Sequence, residues 1–294
     1  MLNKKIGILA LAVVLTTSVL VGCSKKNNDD SGNEIKGNIT SVGSSALLPL
    51  AESAGKEFSK IHPDVIVNVQ GGGSGQGLSQ IIAGTVEVGN SDIFIEEKNI
   101  TNNEIKDNKV AVVGVGPVIN KNIKIDNITG QQLKDIFTGK IKNWKEVGGP
   151  DLNIVLINRA EGSGTRSTFE KFGLGGVKSA KAQEQDNSGS VQKIVAQTPG
   201  AISYLSFSYF NDTIKALKID GVEPNAESVG KNDWKIWSYE HMYTRKDANR
   251  ATIEFIEFVR SDEVQKNVVA ELGYIPINVM KVERNAQGEI TELK

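Results

Sequence analysis

The chain has 294 residues, with 34 lysines and arginines against 35 aspartates and glutamates and a formal net charge of −1. Charges of both signs are interspersed without a basic stripe, which argues against nucleic acid as a partner. A single cysteine and two histidines leave no cluster at metal-ligand spacing, so no metal site and no cofactor is expected.

The N-terminus reads "MLNKKIGILALAVVLTTSVLVGC". Lys4 and Lys5 precede an apolar run that stops at Gly22-Cys23, the pattern of a signal peptide over residues 1–22. Leu20, Val21, Gly22 and Cys23 resemble the bacterial lipobox, in which the cysteine is acylated and the chain cleaved just before it. Lipidation, with palmitate among the expected acyl chains, accounts for an unpaired thiol in an exported protein. Acyl chains contribute about 0.8 kcal/mol per buried CH2, so more than one chain anchors durably without a spanning helix. The expected location is therefore the extracytoplasmic face of the bacterial cell membrane. Residues 23–36 are polar and charged, cannot contribute to a core, and read as a tether.

From there, short β-branched runs alternate with helical patterns. "NITSVG" is followed by "LPLAESAGKEFSKIH", "VIVNVQ" by "GLSQIIAGT", and then come "VEVGNSD" and "NKVAVVGVGPVIN". This rhythm predicts an α/β fold with a largely parallel sheet flanked by helices. Leu50, Ala54 and Phe58 recur at helical spacing, and Pro49 sits where a first-turn proline is tolerated. Pro117 is expected to break its strand at a crossing between lobes. A second set follows: "ITGQQLKDIFTG" helical, "NIVLIN" a strand, "GTRSTFEKFG" helical and "GAISYLSF" a strand. "WKIWSYEHMYT" is read as a return crossing, and a helical stretch with Ala251, Phe255 and Phe258 on one side completes the first lobe. The length favours two lobes, 37–116 plus 243–294 and 117–242.

Ligands in such folds collect where strand ends meet helix N-termini. Four strand ends here carry small polar residues: "VGSSALLP", "GGGSGQG", "GNSD" and "NRAEGSGTRST". Each one alone reads equally as a turn or a helix cap; together they suggest an oxyanion site. Enzyme motifs fit poorly. The glycines of residues 71–77 miss GxGxxG spacing and lack the Walker A Lys-Ser/Thr pair. Gln76 and Thr165 occupy the final glycine position of a GxSxG frame around Ser74 and Ser163, and two SxxK matches, beginning at Ser53 and Ser190, lack their companion motifs. His62 and His241 have no partner at motif spacing and read as surface or hinge residues. Trp144, Trp234 and Trp237 suit core or lobe packing better than a cleft.

As a set, "GSS", "GGSG", "QIIAGTVEVGNSD" and "RAEGSGT", running from about residue 37 to the terminal "GYIPI", resemble the substrate-binding proteins of bacterial phosphate ABC transporters, the Pst system. The resemblance implies a two-lobed, type II periplasmic-binding-protein fold of the Venus-flytrap kind that clamps inorganic phosphate and serves transporter permease subunits as a monomer, without catalysis. Carried over residue by residue, it implies phosphate contacts from Ser45, the Ala46 amide and Ser74. It further implies Asp92 as acceptor of the phosphate proton, Arg159 as the cation, and Ser163, Gly164 and Thr165 around the same oxygens. Taken without the resemblance, Asp92 reads as a helix cap or loop ion pair. Two positions depart from the family pattern: Ala46 and Leu47 replace an aromatic-proline pair, and Glu161 replaces an aspartate. Glu161 can interact with the following helix dipole, a role compatible with bracing Arg159. The alternatives are a receptor of the same fold for sulfate, molybdate or a phosphonate, a serine hydrolase or phosphatase, and an adhesion protein that keeps the fold.

Overall fold

The computed structural model describes residues 35–293. The expected signal peptide, Cys23 and the tether through residue 34 lie outside the described residues. The chain begins with β1 (Gly37–Gly43), α1 (Leu48–Ile61), β2 (Val65–Gly71), α2 (Ser74–Ala83) and β3 (Val88–Ser91). After the short β4 (Ile105–Lys106), the long β5 (Lys109–Asn120) leads to β6 (Asn127–Ile128), α3 (Gly130–Phe137), β7 (Val155–Arg159), α4 (Gly164–Thr168) and β8 (Gln183–Gln185). Then come α5 (Ser188–Gln197), β9 (Ala201–Ser206), β10 (Ile214–Ala216), β11 (Lys218–Ile219) and α6 (Ala226–Gly230). β12 (Trp237–Arg245) runs back, followed by α7 (Arg250–Val259), α8 (Asp262–Val264) and the hairpin of β13 (Val282–Arg284) and β14 (Ile290–Glu292).

The main sheet has the order β2-β1-β3-β12-β5-β9-β7-β8, with β10 added on β5 and β4 on β12. Its flanks are parallel, β1 with β2 and β3, and β7 with β8 and β9. That pairing needs crossover helices, which is why each flank alternates strand and helix. The centre is antiparallel, where β12 pairs with both β3 and β5, and β5 with β9. The two long central strands thus join the flanks into one hydrogen-bonded path.

Pro117 does not break β5. On one edge of β5 the β12 partner ends at Gly114, and the β10 partner begins at Val118. The Val115 amide still donates to Ile236 on that edge, and the Pro117 carbonyl accepts from Leu217 on the same edge. The missing proline N–H therefore faces the gap between two partner strands, where no ladder bond is lost.

Packing explains the sequence periodicity. Leu50, Ala51, Ala54 and Phe58 of α1 are buried against β1, β2 and α7 residues such as Ile39, Val65 and Phe255. Burying a ring like that of Phe58 is worth about 1.5–3 kcal/mol. β5 alternates between cores: Val110 and Val113 enter this cluster, whereas Val112, Val115 and Ile119 enter a second one around Phe137, Trp144, Phe169, Tyr204, Trp234 and Trp237. All three tryptophans are therefore core residues. Val264, Val269 and Tyr274, beyond α7, still pack into the first cluster, and the chain crosses over only from Ile275, which with Met280 and Val282 packs into the second.

Candidate functional site

The parallel flanks aim their strand ends at one seam. β1 ends at Gly43, and the Ser44 hydroxyl accepts from the Ala46 and Leu47 amides, turning the chain into α1 and fixing Ser45 at the bend. α2 lies close against β1 and β3 because Gly77 has no side chain; a Cβ there would stand 2.7 Å from the Val42 carbonyl oxygen. This puts Ser74, the first residue of α2, beside the end of β3, where its Oγ accepts from the Asp92 amide at 3.0 Å. From the other side, β7 delivers Arg159. Ser163 caps α4 by accepting from the Arg166 amide.

The two sides touch directly. Thr165 Oγ1 donates to Asp92 Oδ2 at 2.7 Å, and Ser74 Oγ donates more weakly to Oδ1 at 3.4 Å. The Gly75 amide donates to the Gly162 carbonyl at 2.9 Å. Gly164 faces Ser74 and Asp92 so closely that any Cβ would collide with them. Arg159 spans the seam: Nη2 donates to Ser45 Oγ at 3.1 Å, and Nη1 to Ser188 Oγ at 2.9 Å. Nε and Nη2 also donate to the carbonyls of Gln185 and Asp186, holding the fork from behind. The Ser188 amide donates to Ser45 Oγ as well.

Asp92 and Arg159 are each only 1 % exposed. No ion pair joins them among the described residues, although each feels the other's charge. Burial pulls the Arg159 guanidinium below its usual pKa, opposed first by Asp92; an arginine nonetheless remains a cation. A buried guanidinium and carboxylate held a short distance apart, amid hydroxyls and amides, can receive an anion that also carries a proton. Neither histidine is placed to serve Ser74 or Ser163 as a base. The Ser74 hydroxyl is engaged with Asp92 and Ser163 caps a helix, while His241 is buried with Nδ1 2.7 Å from Asp107. His62 packs on the Phe58 ring, with centroids 4.6 Å apart.

The residues singled out in the sequence thus converge: Ser45, Ala46, Ser74, Asp92, Arg159, Ser163, Gly164 and Thr165 lie at one buried seam. Glu161 is exposed and is not among the groups bonded to Arg159. Arg166 is tied to Glu170 and Glu184, at 2.9 and 2.7 Å, and to the Arg159 carbonyl. Several neighbours were missed. Ser188 opens α5 after the Asn187 cap, a hydroxyl at a helix start like Ser74 and Ser163. Tyr209 donates to the Ser45 carbonyl at 2.7 Å, and Tyr274 to that of Ala46; aromatic residues in apolar runs gave no such hint. Glu240 is fully buried on β12, and burial together with the charge of Asp92 raises its carboxyl well above the usual range. A lone acid inside a strand that otherwise reads as buried was the available signal. A surface depression of about 960 Å3 between α1 and β2 shares none of these residues.

A buried seam between two sheet flanks, joined by a pair of long antiparallel strands, defines a two-lobed binding protein of the periplasmic-binding class. Residues 28–263 match the model of a PBP superfamily domain. The chain is 44% identical to the phosphate-binding protein PstS of Bacillus subtilis, over 98% of both chains, and it belongs to this family. It is also 28% identical to PstS of Staphylococcus aureus, over 95% of this chain and 90% of that one. Among solved structures it is similar to a phosphate ABC transporter substrate-binding protein with bound phosphate from Clostridium perfringens. That match has a TM-score of 0.77 and 33% identity, covering 82% of this chain and 100% of that one. An ABC-type phosphate transport receptor from Vibrio cholerae aligns with a TM-score of 0.65 and 27% identity, over 81% and 99%.

Proposed function

We propose that this chain is an extracytoplasmic receptor that binds inorganic phosphate between its lobes and delivers it to the permease subunits of an ABC importer, without catalysing a reaction. The observation that carries the reading is the joint burial of Arg159 and Asp92 at a seam lined by the hydroxyls of Ser45, Ser74, Thr165 and Ser188. The relatives named for phosphate binding support it.

Arg159 would supply the one full positive charge, presented as a planar fork. The hydroxyls of Ser45, Ser74 and Thr165, with the amides of Ala46 and Gly164 and the Ser163 hydroxyl, would share the remaining load as neutral donors. In this geometry Arg159 and Thr165 donate to Ser45 and Asp92; a phosphate between the lobes would take over those donors. Asp92 sets the selectivity. Its carboxylate accepts a hydrogen bond from a protonated phosphate oxygen but only repels sulfate, which has no proton near neutral pH, and a buried unpaired charge is costly. Hinge motion would occur at β5 and β12. Residues 37–116 and the chain from 243 through α7 form one lobe, 117–242 the other, and the terminal segment from Ile275 is packed onto the second core.

The test is isothermal titration of the purified receptor with phosphate in the presence of excess sulfate. Retained phosphate binding is expected, and absence of phosphate binding refutes the reading. We further propose that the mature chain is a monomer tethered through acylated Cys23. Metabolic labelling with palmitate should mark the intact receptor but not Cys23→Ser, and equal labelling of both, or of neither, would remove the anchor from the proposal.

A further inference from the structure

Glu240 is a buried carboxyl for which the scheme above has no use. It sits on β12 opposite Ala111 of β5, at the irregularity in register between Glu240 and His241. Such irregularities re-aim a side chain. It is 0 % exposed, and neither of its carboxyl oxygens accepts a hydrogen bond from a donor among the described residues.

Its surroundings restrict what can satisfy it. β5 offers aliphatic Ala111 and Val113 at this point. On β12 itself, Tyr239 lies under the Lys109 ammonium, and His241 is bonded to Asp107. The two phenols near enough to feel its charge, Tyr209 and Tyr274, are committed to the Ser45 and Ala46 carbonyls. From the end of β3 comes Asp92: His241 pairs with Ser91 in the antiparallel β3–β12 register, which brings the next residues, Glu240 and Asp92, side by side, and the charge of Asp92 reaches Glu240. Two carboxylates cannot bond each other, so one proton must be shared. Asp92 already receives the hydroxyls of Thr165 and Ser74, whereas Glu240 receives none, which puts the proton on Glu240.

We propose that Glu240 is a positioning residue for the binding site: it stays protonated, donates its O–H to Asp92, and thereby holds that carboxylate as a pure acceptor facing the ligand. Burial and the adjacent charge, which both favour the neutral acid, agree with this assignment. The inference rests on the reading of Asp92 as acceptor of the phosphate proton. With the Glu240 O–H behind it, a donor that the ligand does not take over, the Asp92 carboxylate is stabilised as an anion. It cannot turn a proton of its own toward the ligand, which would admit sulfate.

The test compares the intact receptor with Glu240→Gln and Glu240→Leu by phosphate and sulfate titration, with infrared spectroscopy at neutral pH. The amide keeps a donor toward Asp92, so Glu240→Gln should bind phosphate within about threefold of the unaltered receptor. Glu240→Leu removes the donor and should weaken phosphate binding about tenfold or more, the loss of one charge-assisted hydrogen bond. The unaltered receptor should show a protonated-carboxyl C=O band that is missing in Glu240→Gln. Equal losses in both variants, equal retention in both, or absence of that band overturns the proposal. If Glu240→Leu does not fold, the band and the Glu240→Gln affinity decide. Failure of the unaltered receptor to bind phosphate would instead refute the functional reading itself.

Discussion

Replacing Asp92 with asparagine isolates the charge that is proposed to discriminate between anions. The side chain is buried, and its two oxygens accept from Thr165 and Ser74. Both neighbours are hydroxyls that can turn from donor to acceptor, so an amide of the same shape fits with little loss of stability. Toward phosphate, the amide carbonyl still accepts the phosphate proton. Only the charge-assisted part of that bond is lost, about 1 kcal/mol, or roughly fivefold in affinity. Toward sulfate the change is larger, because a carboxylate facing an unprotonated oxygen is a buried repulsion that costs a few kcal/mol. The phosphate-to-sulfate preference should therefore fall by about two to three orders of magnitude, chiefly through a gain in sulfate binding. Competition calorimetry at neutral pH measures both constants. An unchanged ratio would show that the carboxylate plays no part in selectivity, and a loss of phosphate binding without a gain for sulfate would show that it acts as a structural brace.

Other substitutions probe the clamp and its support. Arg159→Lys should weaken phosphate binding about 100-fold by calorimetry, because an ammonium cannot span Ser45, Ser188 and two carbonyls as the guanidinium does. Gly164→Ala should push Ser74 and Asp92 away from α4 and weaken binding by about tenfold or more; it should leave the ligand-free melting temperature nearly unchanged. Equal damage to both quantities would mean that Gly164 serves folding rather than closure. Acid stability should depend on Glu170. Burial pushes its carboxyl up, but Lys178, Arg166 and the Ser179 amide more than offset this and hold it below the usual 4.5. Its contribution is thus present above about 4.5 and lost as pH falls through the lowered value. Glu170→Gln should lower the melting temperature at neutral pH and flatten its decline in acid, as read by calorimetry.

Much of the architecture was legible because it is written in local chemistry. Leu50, Ala54 and Phe58 mark the buried side of α1. Pro49 marks its first turn, and the glycines flanking Ser74 mark the start of α2. The four small-polar loops were legible for the same reason, since each lies within a few residues of a strand end or helix start. Pro117 was misjudged because its tolerance depends on two strands distant in sequence that happen to leave a gap opposite its nitrogen. The terminal crossover of Ile275, Met280 and Val282 into the second core was hidden too, because an apolar residue does not name the core it joins. Sequence left open whether Glu161 braces Arg159; in the folded chain Glu161 is exposed and the carbonyls of Gln185 and Asp186 hold the guanidinium.

The sequence by itself determined the alternation of strand and helix, the hydroxyl and glycine loops, and the supply of one arginine and one aspartate near them. All of these follow from periodicity and from the few residue types that cap helices and tolerate tight turns. Tertiary structure alone decided that Asp92 meets Thr165 across the seam, that Arg159 reaches both Ser45 and Ser188, and that β12 brings Glu240 to the end of β3 beside Asp92. These contacts join residues that are dozens to more than a hundred positions apart. Their geometry comes from how the two flanks twist and meet around β5 and β12, a property of the whole packed sheet that no local run of residues contains.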